Sequence, residues 1–269
     1  MTQARKNRPV TRLRVLRKEQ LTPHMIRIVA GGDGLASFEP NEFTDAYVKV
    51  LFPRPDVIYP QPLDMGVIRA EMPREHWPAM RSYTVRHYDE QAGELALDFV
   101  HHGDSGLAGP WAANAQIGDE LLLSGPGGAY APDPAAGWHL LVGDESALPA
   151  IAASLEAMPP GATARVFLLV DNAAEQQTLA TKADAQVRWL YRSAGEDLVD
   201  AVQTAEFPAG EVQAFVHGEA GFVRVLRRYL LNECGVGKER LSISGYWREG
   251  KTDEQWRAEK AAEKAADKT

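Results

Sequence analysis

Apolar and polar residues alternate along Thr11–Lys18 (TRLRVLRK), the two-residue period of a strand with one buried face. Five further short segments read as strands. His24–Ala30 follows a Thr22-Pro23 turn, and Tyr47–Phe52 ends at Pro53. Arg81–Tyr88 and Glu94–His101 flank a hairpin around Asp89–Gly93, and Asp119–Ser124 is closed by the Gly-Pro-Gly-Gly of residues 125–128. Residues 53–80 hold six prolines and little periodicity, which predicts a long loop. Six short strands with turn-rich connections predict a small antiparallel barrel.

After Pro134 the rhythm changes to alternating strands and helices. Trp138–Gly143, Ala164–Val170, Val187–Tyr191, Ala214–His217 and Leu241–Ser244 are near-continuous apolar strands. Ala147–Ala157 and Glu219–Cys234 scan as helices. In the second, Phe222, Val225, Leu226, Tyr229 and Leu230 predict one buried face, with Gly235 as the stop. Unbroken apolar strands in βα units predict a parallel sheet covered on both sides, with ligands at the carboxyl ends of its strands. Residues 251–269 predict an exposed helix anchored by Trp256. The chain thus divides into an antiparallel β-barrel (1–134), a parallel-sheet α/β domain (135–250) and a helical tail (251–269), a β + α/β fold.

Composition narrows the chemistry. The single cysteine, Cys234, excludes an internal disulfide and a cysteine-rich metal site, so redox work would need a borrowed cofactor. A net charge of −8 argues against a nucleic-acid binder, although Arg5, Lys6, Arg8, Arg12, Arg14, Arg17 and Lys18 crowd the first 18 residues as a basic arm and strand face. No apolar run nears the ~20 residues of a membrane span, and the first ten residues lack a signal-like apolar core. A cytoplasmic monomer without membrane insertion is the expectation.

Arg81-Ser82-Tyr83-Thr84-Val85-Arg86 is the most informative segment. A strand turns residues 81, 83 and 85 one way and 82, 84 and 86 the other, so a few residues offer a guanidinium, a phenol ring and hydroxyls. A dinucleotide flavin needs a cation for its pyrophosphate, a flat apolar face and a hydrogen-bonding group at N5. By residue type alone the segment also reads as an ordinary edge strand. Its context, after barrel strands and before βα units, resembles ferredoxin reductase-like flavoenzymes. Seven blocks in order resemble the siderophore-interacting proteins, FAD-dependent ferric-siderophore reductases: YVKVLFP (47–53), RSYTVR (81–86), LDFVHHG (97–103), LLLSGPGG (121–128), GDESALPAI (143–151), HGEAG (217–221) and SISGYWREG (242–250).

The resemblance implies roles. Arg81 corresponds to the pyrophosphate arginine, Tyr83 to the residue packed on the flavin, and Thr84, with Ser82 beside it, to the contact at the reacting N5/O4 edge. Asp98, Val100 and His102 belong to a segment that lines the flavin with backbone groups. His101 and His102 are adjacent and face apart, so no metal site is expected. The family's Gly-Pro-Ala-Ser before Trp-Ala is here Gly106-Leu107-Ala108-Gly109-Pro110-Trp111-Ala112, which puts Gly109 where a hydroxyl is usual and leaves Ala108 and Gly109 to offer backbone amides.

On the nicotinamide side the resemblance implies Asp144, Glu145 and Ser146 in the first βα turn, Gly218-Glu219-Ala220, and Trp247. The turn is not G-x-G-x-x-G, and its acids are poor neighbours for a pyrophosphate. Asp171-Asn172 after the second strand leans toward NADH, while Arg188 and Arg192 leave NADPH open. Lys49 and Arg248 match two of three basic residues expected to hold an anionic ferric siderophore, and Gly127 stands where the third, an arginine, is usual. The reading is an FAD-containing NAD(P)H:ferric-siderophore reductase; the alternatives are a general flavin or quinone reductase on the same fold and a non-catalytic siderophore carrier.

Overall fold

The computed structural model describes residues 10–266. The basic arm at Arg5, Lys6 and Arg8 lies outside the described residues, as do Asp267, Lys268 and the side chains of Glu263 and Lys264.

Strands β1 (Thr11–Thr22), β2 (Met25–Gly31), β3 (Tyr47–Phe52), β4 (Ala79–Asp89), β5 (Glu94–Val100) and β6 (Glu120–Gly127) close into a barrel in the order β1-β2-β5-β4-β3-β6. Every pairing in it is antiparallel. Closure removes sheet edges, and the alternation delivers Leu13, Val15, Val48, Val50, Leu97, Phe99, Leu121 and Leu123 to one interior. The expected loop at 53–80 is corrected: it contains α1 (Met65–Glu71) and a 3₁₀ turn at Arg74–His76. Asp64 caps α1 by accepting from the Gly66 and Val67 amides, and Met65 and Ile68 pack with Leu51, Leu63 and Leu122 on the barrel's flank. Two apolar anchors one turn apart, among prolines, are too few to show a helical period. Helix α2 (Ala108–Asn114) packs Trp111 against Phe52 and Phe99.

The second unit is a five-stranded parallel sheet, ordered β11 (Leu241–Trp247), β10 (Val212–Glu219), β7 (Trp138–Asp144), β8 (Thr163–Val170), β9 (Asp184–Tyr191). Helix α3 (Leu148–Ala157) covers one face; α4 (Leu198–Gln203), unanticipated, and α5 (Ala220–Arg228) cover the other. The order reverses at β7, flanked by β8 on one side and β10 on the other, so the crevice for a ligand opens beyond the ends of β7 and β10. The buried face of α5 differs from expectation. Val223, Leu226 and Leu230 are buried, whereas Val225 is 45% exposed, and the helix passes into a π turn at Tyr229–Glu233. The buried residues keep an i, i+3, i+7 spacing, so the face is the helical one rotated by about one residue from Phe222 and Val225 to Val223 and Leu226.

Two sets of contacts join barrel and sheet. Arg86 on β4 forms a bidentate pair with Glu156 on α3, at 2.9 and 2.5 Å, beside a Thr44–Ser154 hydroxyl contact of 2.8 Å. Glu175, buried after β8, accepts from the Thr22 hydroxyl at 2.5 Å and the His24 amide at 3.2 Å, and meets His24 Nδ1 at 2.6 Å. The tail forms α6 (Asp253–Ala266), with Trp256 buried against Gly245 of β11.

Candidate functional site

β4 runs along the seam between the barrel and the sheet, and its alternation sorts the expected residues. Tyr83 stacks on Phe99 with ring centroids 4.1 Å apart, extending the Phe99–Trp111–Phe52 aromatic cluster to the seam. Its burial pushes the phenol well above the ordinary range, so the ring stays neutral. Thr84 is buried on the opposite face, while Ser82 is exposed and accepts from Lys49 Nζ, its cross-strand partner. Arg81 is half-buried, its side chain 19% exposed. Nη1 donates to the Met80 carbonyl at 3.0 Å and to Asp253 at 3.3 Å, and forms an ion pair with Glu254 at 2.8 Å. Among the described residues no protein acceptor lies on its Nε or Nη2.

The Asp98 side chain is engaged within the barrel. Its carboxylate is buried and bidentate to Arg27 of β2, at 2.6 and 2.8 Å. What Asp98 and Val100 can offer a flavin is backbone. The strand ends at Val100, earlier than expected, and His102 is exposed with its ring 6.0 Å from that of His24. Ala108 and Gly109 open α2 behind Leu107, which supplies no side-chain cap. A Cβ on Gly109 would lie 3.0 Å from the Val100 carbonyl and 3.3 Å from His101 Cα, so a serine there would require the strand end to give.

The expected nicotinamide residues meet at the carboxyl ends of β7, β10 and β11. Asp144 is fully buried and accepts four hydrogen bonds: from Ser146 N at 2.9 Å and Ser146 Oγ at 2.5 Å on Oδ1, and from Glu219 N and Trp247 Nε1, both at 2.8 Å, on Oδ2. Burial pushes this carboxyl up, and its four donors pull it back. The Asp144 side chain is therefore a knot joining three strand ends rather than a contact surface. Gly218 is required beside it: φ is +138°, and a Cβ would lie 2.6 Å from Asp144 Oδ2. Glu145 is 6% exposed and clamps Arg192 through both carboxylate oxygens. Arg188 is exposed on β9. Trp247 remains 38% exposed on the crevice side of its bond to Asp144. His217, one turn of the ladder away, stacks on Phe215 at 3.9 Å and bonds Ser242 Oγ through Nε2 at 3.0 Å; burial lowers its pKa to about 3.

Lys49 and Arg248 sit in different neighbourhoods. Lys49 Nζ lies 5.1 Å from the Tyr47 ring centroid, and Arg248 lies 5.9 Å from that of Trp256. At Gly127 the Tyr47 ring takes the space of a side chain: a Cβ there would be 2.6 Å from Tyr47 Cζ. Sequence reasoning missed Tyr47, Glu175, Asp253 and Glu254. Each contacts a residue distant in the chain, a pairing that no local pattern reveals.

The described residues contain no cluster of three His, Cys, Asp or Glu side chains suited to a metal ion, and no helix long and apolar enough to cross a membrane. The donor set does suit a dinucleotide flavin. It combines a guanidinium with an open edge, an aromatic wall and a buried hydroxyl on one strand at the mouth of a topological switch point.

Comparison with known proteins bears on the same residues. A siderophore-interacting FAD-binding domain matches residues 14–130, and a siderophore-interacting protein family matches residues 136–250. Ferric vibriobactin reductase of Vibrio cholerae is 36% identical over 254 residues, covering 91% of this chain and 92% of its own. The NADPH-dependent ferric-chelate reductase of Escherichia coli is 35% identical over 243 residues, covering 87% and 91%. The crystal structure of a siderophore utilization protein from T. fusca superposes with a TM-score of 0.79 at 33% identity, covering 92% and 95%.

Proposed function

The chain belongs to the siderophore-interacting protein family, and from that premise we propose that it is an FAD-dependent NAD(P)H:ferric-siderophore reductase. The observation that supports the reading is that Arg81, Tyr83 and Thr84 share one strand, β4, which packs against α3 of the parallel-sheet unit. The barrel would then be the flavin domain and the sheet the nicotinamide domain.

Bound FAD would accept a hydride from the nicotinamide and release electrons singly to chelated iron. The protein's own residues hold and shield. Arg81 offers its Nε–Nη2 edge to the pyrophosphate, a charge-assisted contact. Tyr83, backed by Phe99, gives the ring system an apolar wall and excludes water from it. Thr84 holds a hydroxyl at the reacting edge. The Asp144 knot fixes Ser146 and Trp247 at the crevice where a nicotinamide would enter.

Donor choice leans toward NADH. Asp171 follows β8, and Arg192, the nearest cation for a 2′-phosphate, is already clamped by Glu145. Lys49 and Arg248 supply positive charge for an anionic ferric chelate on an acidic chain. Tyr47 in place of a third cation supports a less anionic chelate. Siderophore iron released as Fe(II) in the cytoplasm fits this chemistry, since hard oxygen chelators hold Fe(II) weakly. The test is anaerobic NADH oxidation by the FAD-loaded chain with and without a ferric siderophore, with Fe(II) trapped by a ferrous-specific chelator. Fe(II) formation dependent on both FAD and nucleotide supports the assignment. Oxidation indifferent to the chelate points to a general flavin reductase, and no oxidation at all to a carrier.

A further inference from the structure

Arg81 is gripped from one side only. Its Nη1 takes the Met80 carbonyl, Asp253 and Glu254, while the Nε–Nη2 edge has no protein acceptor among the described residues. The two carboxylates come from the first turn of α6, 172 residues away in sequence from Arg81 in the case of Asp253. That turn is fixed independently of Arg81. Trp256 is 5% exposed against Gly245, and Lys260 Nζ donates to Ser244 Oγ at 2.8 Å and to the Gly245 carbonyl at 2.7 Å, all on β11. Arg257 donates to the Met80 carbonyl at 2.7 Å and pairs with Asp253 at 2.7 Å. Helix α6 thus clasps the last strand of the sheet to the strand of the barrel that carries Arg81.

We propose that Asp253 and Glu254 are positioning residues for the flavin pyrophosphate: they hold Arg81 by Nη1 and so present its free edge to the diphosphate. This rests on the reading of Arg81 as the FAD pyrophosphate ligand. A guanidinium is planar, and pinning one corner by two hydrogen bonds and an ion pair fixes the plane of the fork that a diphosphate must meet. Without the acids, Arg81 is a long side chain with several rotamers, and its ordering would be lost from the free energy of binding. The acids do not repel the ligand wholesale, because Asp253 is shared with Arg257. Arg81, Arg257, Asp253 and Glu254 form a group with no net charge.

The experiment is a double-mutant cycle on FAD binding, read by quenching of flavin fluorescence as the apo-chain is titrated. The variants are Glu254→Gln, Arg81→Lys, the pair together, and Asp253→Asn/Glu254→Gln. Glu254 is largely exposed, so its substitution leaves folding intact, and thermal unfolding of each apo-chain is recorded alongside. The expected result is FAD bound about 3–10-fold more weakly by Glu254→Gln, at an unchanged melting temperature. No further loss is expected when the substitution is added to Arg81→Lys, whose fork is already gone. Additive losses in the double variant would mean that α6 supports the site only by packing, and would overturn the proposal. So would unchanged or tighter binding in Glu254→Gln, which would make the acids competitors of the phosphate. If Arg81→Lys weakens FAD while neither α6 variant does, this inference fails and the flavin reading stands. If the unmodified chain does not bind FAD, the flavin reading fails and takes this inference with it.

Discussion

Replacing Asp144 separates a structural knot from a cofactor contact. Each oxygen of this buried carboxylate accepts two hydrogen bonds, Oδ1 from Ser146 N and Oγ, Oδ2 from Glu219 N and Trp247 Nε1. In Asp144→Asn the amide nitrogen must take one of those places. Turned toward Ser146, it can donate to the hydroxyl, which reverses its role, while the Ser146 amide and the second N–H of the asparagine are left without acceptors. Turned the other way, it would face two obligate donors, so the first orientation wins. At the half-buried Ser146 the two donors that the first orientation leaves unsatisfied together cost about 1–3 kcal/mol. Asp144→Ala strands all the donors at once and leaves a void, for roughly 3–5 kcal/mol. In a chain of this size that is a fall in Tm of about 2–4 °C per kcal/mol. The two variants should therefore be graded in urea or thermal unfolding, with Trp247 emission shifted in the alanine variant and little changed in the asparagine variant. The KM for NADH should rise in the same order as the turn loosens. Equal stability of both variants with the parent would refute the knot and return Asp144 to the role of a surface contact.

Three further outcomes follow from the geometry. Gly127→Arg must swing the Tyr47 ring aside, since its Cβ would sit 2.6 Å from Tyr47 Cζ, and should lower the KM for an anionic ferric chelate about 2–5-fold at low salt with the gain vanishing at high salt; a salt-independent change would discount the electrostatic account. Glu145→Gln releases Arg192 and should raise kcat/KM for NADPH relative to NADH a few-fold, an unchanged ratio meaning that Arg192 does not face the 2′-position. His217 is neutral when folded, with a pKa near 3 against an ordinary 6.5, so its contribution is fully present above 6.5 and is lost as pH falls from there toward 3, at up to about 1.4 kcal/mol per unit. His217→Gln should flatten that part of the stability profile in urea titrations at several pH values, and an unaltered slope would count against burial as the cause.

The strands were legible because a barrel enforces alternation and a doubly covered sheet enforces continuity. Tyr47–Phe52 is found with the bounds its pattern predicts. That Arg81, Tyr83 and Thr84 share one strand was legible for a related reason, while the roles proposed for them came from the family resemblance and not from the pattern. Helix α1 was hidden by prolines that flank rather than enter it. The buried face of α5 was misjudged because apolar residues lie on either side of it, and the packing selects Val223 rather than Val225. Asp144 shows the deeper limit. Two acids beside a phosphate site looked like an obstacle, yet one turns inward to four donors and the other pairs with Arg192. Ser146 within the GDES turn supplies two of those donors, but the other two depend on where β10 and β11 end, which nothing in the turn reveals. The same holds for Glu175, whose partners Thr22 and His24 lie some 150 residues earlier.

The most direct test of the central claim follows the flavin itself. The FAD-loaded chain is mixed anaerobically with NADH and then with a ferric siderophore, while flavin absorbance is recorded beside Fe(II) captured by a ferrous chelator. The account predicts that NADH bleaches the bound flavin and that the ferric chelate restores its colour, with roughly two Fe(II) formed per flavin. The same cycle in Arg81→Ala should fail for want of bound FAD. A flavin that NADH bleaches but that ferric siderophore leaves bleached would contradict the assignment as a ferric-siderophore reductase.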